Sequence, residues 1–216
     1  MKTGLSVSKE AMAAFVDAVY AIAVTILALE LPGSINNDMP LTKIGALLGH
    51  YAIAFSILFA LWVQHRSINF HIDTSGPVAL WLNAAILMLV CLIPQATSFV
   101  FQYGGNVTAG EIVQEAVNFN WTLSAVIDVG FITIVLASEI GLVALLHLMP
   151  REARATVAAN IYRSKVTISI LLAMVMAASL FLPFQNRYFL IALPVFLMLE
   201  HRISSLTLRL LKLSAP

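Results

Sequence analysis

Six long apolar segments follow one another along the chain, and no other feature limits its fold as strongly. The hydrocarbon core of a bilayer is about 30 Å thick, and a helix needs about 20 residues to cross it. A helix also satisfies its own backbone hydrogen bonds, which lipid cannot do. The segments predict helices over residues 9–31, 44–66, 78–103, 121–147, 165–184 and 188–210. We therefore expect one all-α integral membrane domain of six transmembrane helices over residues 1–216.

The composition agrees with this class and excludes others. Apolar residues make up 60% of the chain and charged residues only 11%, whereas about 25% are charged in a typical soluble domain. The net charge of +1 gives no reason to expect a nucleic-acid partner. The single cysteine, Cys91, excludes an internal disulfide and a cysteine-built metal site. We expect the lipid bilayer as the surrounding medium and no cofactor.

The basic residues predict the orientation of the six helices. Segments on the cytoplasmic side of a membrane carry an excess of lysine and arginine. With the N-terminus inside, only Lys43 and Arg187 of the 12 basic residues lie on the outer side. We therefore expect both termini in the cytoplasm and a multi-pass protein of the cell inner (plasma) membrane.

Charged side chains inside the first two predicted helices need a reason, because a charge at the centre of a bilayer costs at least about 2.5–3.5 kcal/mol. Asp17 and His65 both lie in the inner halves of two antiparallel neighbours. Trp62 lies between them in depth, and its indole N–H can donate to a carboxylate. The sequence thus predicts an Asp17–Trp62–His65 network. We favour a structural contact between helices, with gating or proton sensing as the alternatives.

Two further carboxylates lie within the fourth predicted helix. Asp128 and Glu139 are close to three full turns apart, so they lie on the same side of that helix. We favour structural pairing, with basic residues of a neighbouring helix as the partners. The alternative is a proton- or cation-coupled secondary transporter that uses these carboxylates with Asp17 and His65 as a relay. Against a transporter, the chain has no inverted repeat and no matching pair of helices broken by Gly or Pro.

A stripe of four residues runs along the first predicted helix. Ile22, Thr25, Ile26 and Leu29 are spaced i, i+3, i+4 and i+7, so they lie on one face. Spacing alone favours ordinary packing for this stripe and gives no reason to expect contact with water.

Three short motifs in the first half of the chain carry a family resemblance. The segment Phe15–Leu27 has an aspartate followed by an Ala/Ile/Thr-rich stretch, and residues 62–66 read Trp-Val-Gln-His-Arg. Residues 81–83 read Trp-Leu-Asn, with Leu-Ile-Pro at 92–94. In order and spacing these motifs resemble the transmembrane protein 175 family, the prokaryotic relatives of the lysosomal potassium channel. The resemblance is specific in the first three helices and only a general pattern beyond residue 105.

Three positions depart from the motifs of that family. Its first-helix signature is Arg-x-x-x-Phe-Ser-Asp, and here Ala11 stands for the arginine and Val16 for the serine. The second helix of the family reads Trp-x-x-His-His, and Arg66 stands for the second histidine. We hypothesise that Arg66 supplies the cation that is missing at position 11, since both positions lie near the inner membrane face.

The resemblance implies a homotetrameric, potassium-permeable cation channel in which four first helices line a central pore. It places a ring of aliphatic side chains at Ile22 and a layer of threonines at Thr25, with Ile26 and Leu29 extending the narrow section outward. Such a ring takes the place of a carbonyl filter and gates by dewetting. Glu30 at the outer mouth would raise the local concentration of cations.

An enzyme and a protein with a purely structural role are two further classes of function to consider. The chain has no Gly-x-Ser-x-Gly elbow and no His-Glu-x-x-His motif, so we do not expect an enzyme. The five histidines are scattered and do not pair at ligand spacing, so we expect no metal site. A structural role without transport is the last alternative.

Overall fold

The computed structural model describes residues 7–33, 40–72, 76–103 and 123–148, together with residues 165, 168–170, 173–174, 193 and 197. The four long ranges each contain one helix, and each helix is long and apolar enough to cross a membrane. The predicted helices 165–184 and 188–210 lie outside the described ranges, apart from the isolated positions. The four helices are α1 (Lys9–Gly33), α2 (Leu41–His71), α3 (Pro77–Tyr103) and α4 (Leu123–His147).

The sequence around each helix start explains where α1 and α3 begin. The hydroxyl of Ser8 accepts a hydrogen bond from the backbone N–H of Ala11 at 3.2 Å, as an N-cap does. Pro77 occupies the first position of α3, where its missing N–H costs no intrahelical hydrogen bond. Both starts lie within one residue of the predicted boundaries.

Helix α2 continues five residues beyond its predicted end at Arg66. Ile68 and Asn69 follow His65 by three and four positions and are buried like it, so the packed face of the helix does not stop at Arg66. The last turn has two additional bonds, from Lys9 to the carbonyl of Phe70 and between His71 Nδ1 and the carbonyl of Ser67. The polar residues 64–66 therefore lie inside a membrane helix, and no helix boundary falls there.

The four helices pack around one apolar core, and α2 contacts all three of the others. Helices α3 and α4 approach closely at Gly141, where a Cβ atom would lie 2.7 Å from Cγ1 of Ile86. Small residues permit such approaches between membrane helices, whose association depends on close packing because lipid is as apolar as the core. Close packing at Gly141 thus holds α3 and α4 together, and α2 contacts both of them.

Candidate functional site

The carboxylate of Asp17 joins α1 to α2. The indole Nε1 of Trp62 donates to Asp17 Oδ1 at 2.7 Å, and Arg66 pairs with Oδ2. Trp62 and Arg66 are four residues apart, so they lie on the same face of α2 and reach the same carboxylate. The guanidinium of Arg66 also lies 5.7 Å from the centre of the Trp62 ring, in the range of a cation–π contact. One carboxylate thus orders two side chains of the second helix.

A second polar cluster lies one turn away and is fully buried. His65 Nε2 lies 2.7 Å from Asn83 Oδ1 on α3, and the hydroxyl of Tyr20 on α1 lies 3.4 Å from His65 Nδ1. Asn69 Nδ2 donates to the same Asn83 oxygen at 2.7 Å, while Asn83 Nδ2 donates to the carbonyl of Ala79. The cluster therefore connects three helices.

The partners of Asn83 assign the tautomer of His65. Because Asn83 Nδ2 is committed to a carbonyl, its Oδ1 is the atom that faces His65, and a carbonyl oxygen can only accept. His65 Nε2 must therefore carry the proton. In the neutral ring Nδ1 is then the acceptor, and the Tyr20 hydroxyl donates to it.

The structure divides the predicted Asp17–Trp62–His65 network into these two adjacent clusters. Trp62 contacts Asp17 as the common depth of the residues suggested, and His65 has Tyr20 and Asn83 as its partners. Sequence reasoning gave no role to Tyr20, Asn69 or Asn83. Tyr20 lies three residues after Asp17, and Asn69 lies four after His65, so helical spacing could have identified both.

A third contact between α1 and α2 lies at the start of α1. Lys9 donates to the carbonyl of Phe70, and its ammonium nitrogen lies 5.2 Å from the centre of the Phe70 ring. The contacts at Lys9, Asp17 and Tyr20 follow one another along one side of α1. The second helix thus holds the first at three levels.

The opposite side of α1 is apolar and exposed. Ile22 is 57% exposed and Leu29 is 70% exposed, and Thr25 and Ile26 are exposed between them. Glu30 is half-buried at the end of the same helix. The residues that pack on α2 and α3 are instead Met12, Val16, Tyr20, Ala23 and Leu27. The predicted stripe therefore does not pack inside the protomer.

The fourth helix supplies a buried ion pair. Glu139 Oε2 accepts from Lys165 Nζ at 2.6 Å. A basic partner for Glu139 agrees with the structural pairing expected from the sequence. The side chain of Asp128 lies outside the described part of the structure. Among the described residues there is no group of three His, Cys, Asp or Glu side chains that could hold a metal ion.

These features define the class of the protein. Four long apolar helices, polar contacts that hold α1 against α2, and an ion pair buried beside them are typical of a multi-pass helical membrane protein.

A family model matches the first three helices. It is described as the endosomal/lysosomal potassium channel TMEM175, and it matches residues 11–94. The resemblance predicted from the three motifs is therefore confirmed over this segment. The matched family is one of channels and not of enzymes, as expected.

Two curated relatives are named potassium channels. One, from Streptomyces collinus, is 28% identical over 100 residues, which are 42% of this chain and 46% of the relative. The other, from Chamaesiphon minutus, is 27% identical over 138 residues, which are 53% of this chain and 65% of the relative. The matched regions thus span about half to just under two thirds of the length of these relatives.

A solved structure has the same fold. The crystal structure of a protein described as a lysosomal potassium-selective channel TMEM175 homologue from Chamaesiphon minutus matches with a TM-score of 0.69 at 20% identity. The match covers 89% of this chain and 97% of that chain. At this identity the likeness is one of fold.

Proposed function

We propose that this chain is the subunit of a potassium-permeable cation channel, a homotetramer in which α1 of each subunit lines a central pore. The proposed subunit has six transmembrane helices with both termini in the cytoplasm, and its proposed location is the plasma membrane. The two curated relatives named potassium channels support this function.

The exposed apolar face of α1 is the observation that carries the proposal. An apolar stripe of a membrane helix can face lipid, a neighbouring helix or a pore. Helix α2 contacts α1 at Lys9, Asp17 and Tyr20, on the side opposite the stripe. These contacts fix the orientation of the stripe. Four such stripes around one axis would form a narrow apolar passage, and passages of this kind gate by dewetting.

The side chains of the stripe suit a constriction for a weakly hydrated cation. Ile22 would form the aliphatic ring, and Ile26 and Leu29 would extend it outward. The hydroxyl of Thr25 donates to the carbonyl of Ala21 at 2.8 Å, so its hydrogen is directed back to the helix. The lone pairs of the Thr25 oxygen can then replace water around a potassium ion. Glu30 would attract cations to the outer mouth.

Purified protein in lipid vesicles tests this function. We expect current carried by potassium, with a modest preference over sodium because no carbonyl cage surrounds the ion, and a mass measurement that gives four subunits. Ile22→Asn should wet the constriction and raise the leak. Ile140→Asn is the matched control, because Ile140 is an isoleucine with similar exposure, 54%, on α4. A leak that rises equally in both variants would contradict a pore at Ile22.

Other outcomes identify the alternatives. Saturable flux coupled to a proton gradient from a monomer would favour the secondary transporter. A complete lack of flux from correctly folded protein would favour a structural role. A strong preference for sodium would exclude the proposed constriction.

A further inference from the structure

The ion pair of Glu139 and Lys165 is connected to α2 through the side chain of Gln64. Lys165 Nζ donates to Gln64 Oε1 as well as to Glu139, and Gln64 Nε2 donates to the carbonyl of Leu197 at 3.2 Å. The amide of Gln64 therefore uses both of its ends. It joins α2 to two later parts of the chain, at Lys165 and Leu197, and through Lys165 to Glu139 on α4.

Gln64 and Trp62 lie on nearly opposite sides of α2. Successive residues of an α-helix are about 100° apart, so Gln64 lies about 200° around the helix from Trp62. Trp62, His65 and Arg66 hold α1 and α3, whereas Gln64 is held from the side of α4. Helix α2 is thus fixed from two sides within less than two turns.

The chemistry of the pair makes the attachment on the α4 side rigid. A buried carboxylate and a buried ammonium cannot separate in the membrane without exposing two charges to an apolar medium. Lys165 is therefore a fixed donor, and its bond to Gln64 fixes the depth and rotation of α2. Asp17 and Tyr20 follow α2 through their bonds to it, and Ile22 is only two residues beyond Tyr20.

We propose that Gln64 is a positioning residue of the conduction pathway, which transmits the fixed position of the Glu139–Lys165 pair through α2 to the constriction on α1. This inference rests on the proposed channel function. Gln64 does not touch the ion, and its effect is exerted through Trp62, His65 and Arg66. Loss of the Gln64 bonds should let α2 shift and so change the width of the constriction, while the ion pair itself stays intact.

The test compares Gln64→Leu with a destabilising variant elsewhere. Gln64→Leu keeps the approximate volume and removes both bonds, and we expect the potassium-to-sodium permeability ratio to change by about two-fold or more. Leu142→Ala creates a cavity at a buried residue of α4, one turn from Glu139, and should lower thermal stability without changing the ratio. An unchanged ratio in Gln64→Leu, or an equal change in Leu142→Ala, would overturn the inference.

A conservative variant provides a second criterion. Gln64→Glu keeps a side-chain oxygen that can accept from Lys165, whereas Gln64→Leu keeps none. We expect the ratio of this variant to lie closer to the wild-type ratio than that of Gln64→Leu, and a ratio equal to that of Gln64→Leu would count against the inference.

Hydrogen exchange separates this inference from the proposed function. In folded protein, Gln64→Leu should speed exchange of the amides around Trp62 and Arg66 by about ten-fold, because local opening of α2 becomes easier. Leu142→Ala should not affect these amides. If the wild-type protein carries no current, the proposed function fails, and this exchange pattern still decides whether Gln64 positions α2. Equal exchange in wild type and Gln64→Leu would overturn the inference.

Discussion

Two carboxylate–cation pairs hold α2 in place, and they differ in their exposure on the surface of the subunit. The Asp17 and Arg66 side chains are 34% and 53% exposed, whereas those of Glu139 and Lys165 are 0% and 2% exposed. Near the membrane face, where we expect Arg66 to lie, water screens an exposed pair, and such pairs contribute about 0–1 kcal/mol. A buried pair contributes little compared with an apolar replacement, but removal of one partner is strongly destabilising. The same chemistry thus gives a weak ion pair beside α1 and a strongly constrained one beside α4.

This difference agrees with the proposed roles of the two sides of α2. The Asp17–Arg66 pair is only one of the contacts that hold α1 on α2, so its loss alone should cost little. The contact with Lys165 cannot open without leaving a buried charge.

The largest expected effect is the loss of the buried cation. Lys165→Met leaves the carboxylate of Glu139 buried without its partner, and we expect the free energy of unfolding to fall by about 3–5 kcal/mol. Titration of the purified protein with denaturing detergent measures this change. The double variant Glu139→Gln/Lys165→Met has no buried charge and should recover most of the loss. If the double variant is as unstable as Lys165→Met, an unpaired charge is not the cause.

An intermediate effect is expected at Asp17. Asp17→Ala removes both the ion pair and the acceptor for Trp62, and a lost hydrogen bond to a charged group costs about 1.5–3 kcal/mol. Asp17→Asn keeps an oxygen for the Trp62 indole and removes only the charge, so its loss should be smaller, near the value of an exposed pair. The same detergent titration compares the two variants. Equal losses would mean that the charge of Asp17, and not its bond to Trp62, holds the helices together.

Those features of the fold and of the site that depend on depth in the membrane could be predicted from the sequence. Apolar run lengths gave the four described helices to within a few residues, except for the end of α2. Asp17 and Trp62 lie at similar depth on antiparallel neighbours, so their contact could be expected. The length of α2 was underestimated because Arg66 looked like a boundary, whereas Asp17 neutralises it within the helix.

Contacts between distant helices could not be predicted in the same way. Gln64 and Lys165 are 101 positions apart, and depth alone does not tell which sides of two helices face each other. The sequence suggested a basic partner for Glu139 without identifying Lys165. It also gave the spacing of the stripe from Ile22 to Leu29, but only its exposure in the folded chain distinguishes it from ordinary packing.

The smallest expected change in stability is at Arg66. Arg66→Ala breaks only an exposed ion pair, so the free energy of unfolding should fall by about 0.2–1 kcal/mol. Assembly or conductance should nevertheless change, because Arg66 is proposed to supply the cation that the family motif has at position 11. Ala11→Arg in the Arg66→Ala background restores a cation there and should recover the wild-type current. If Arg66→Ala assembles and conducts like the wild type, the exposed pair has no functional role, and the other contacts of α1, at Lys9, Trp62 and Tyr20, are sufficient to position it.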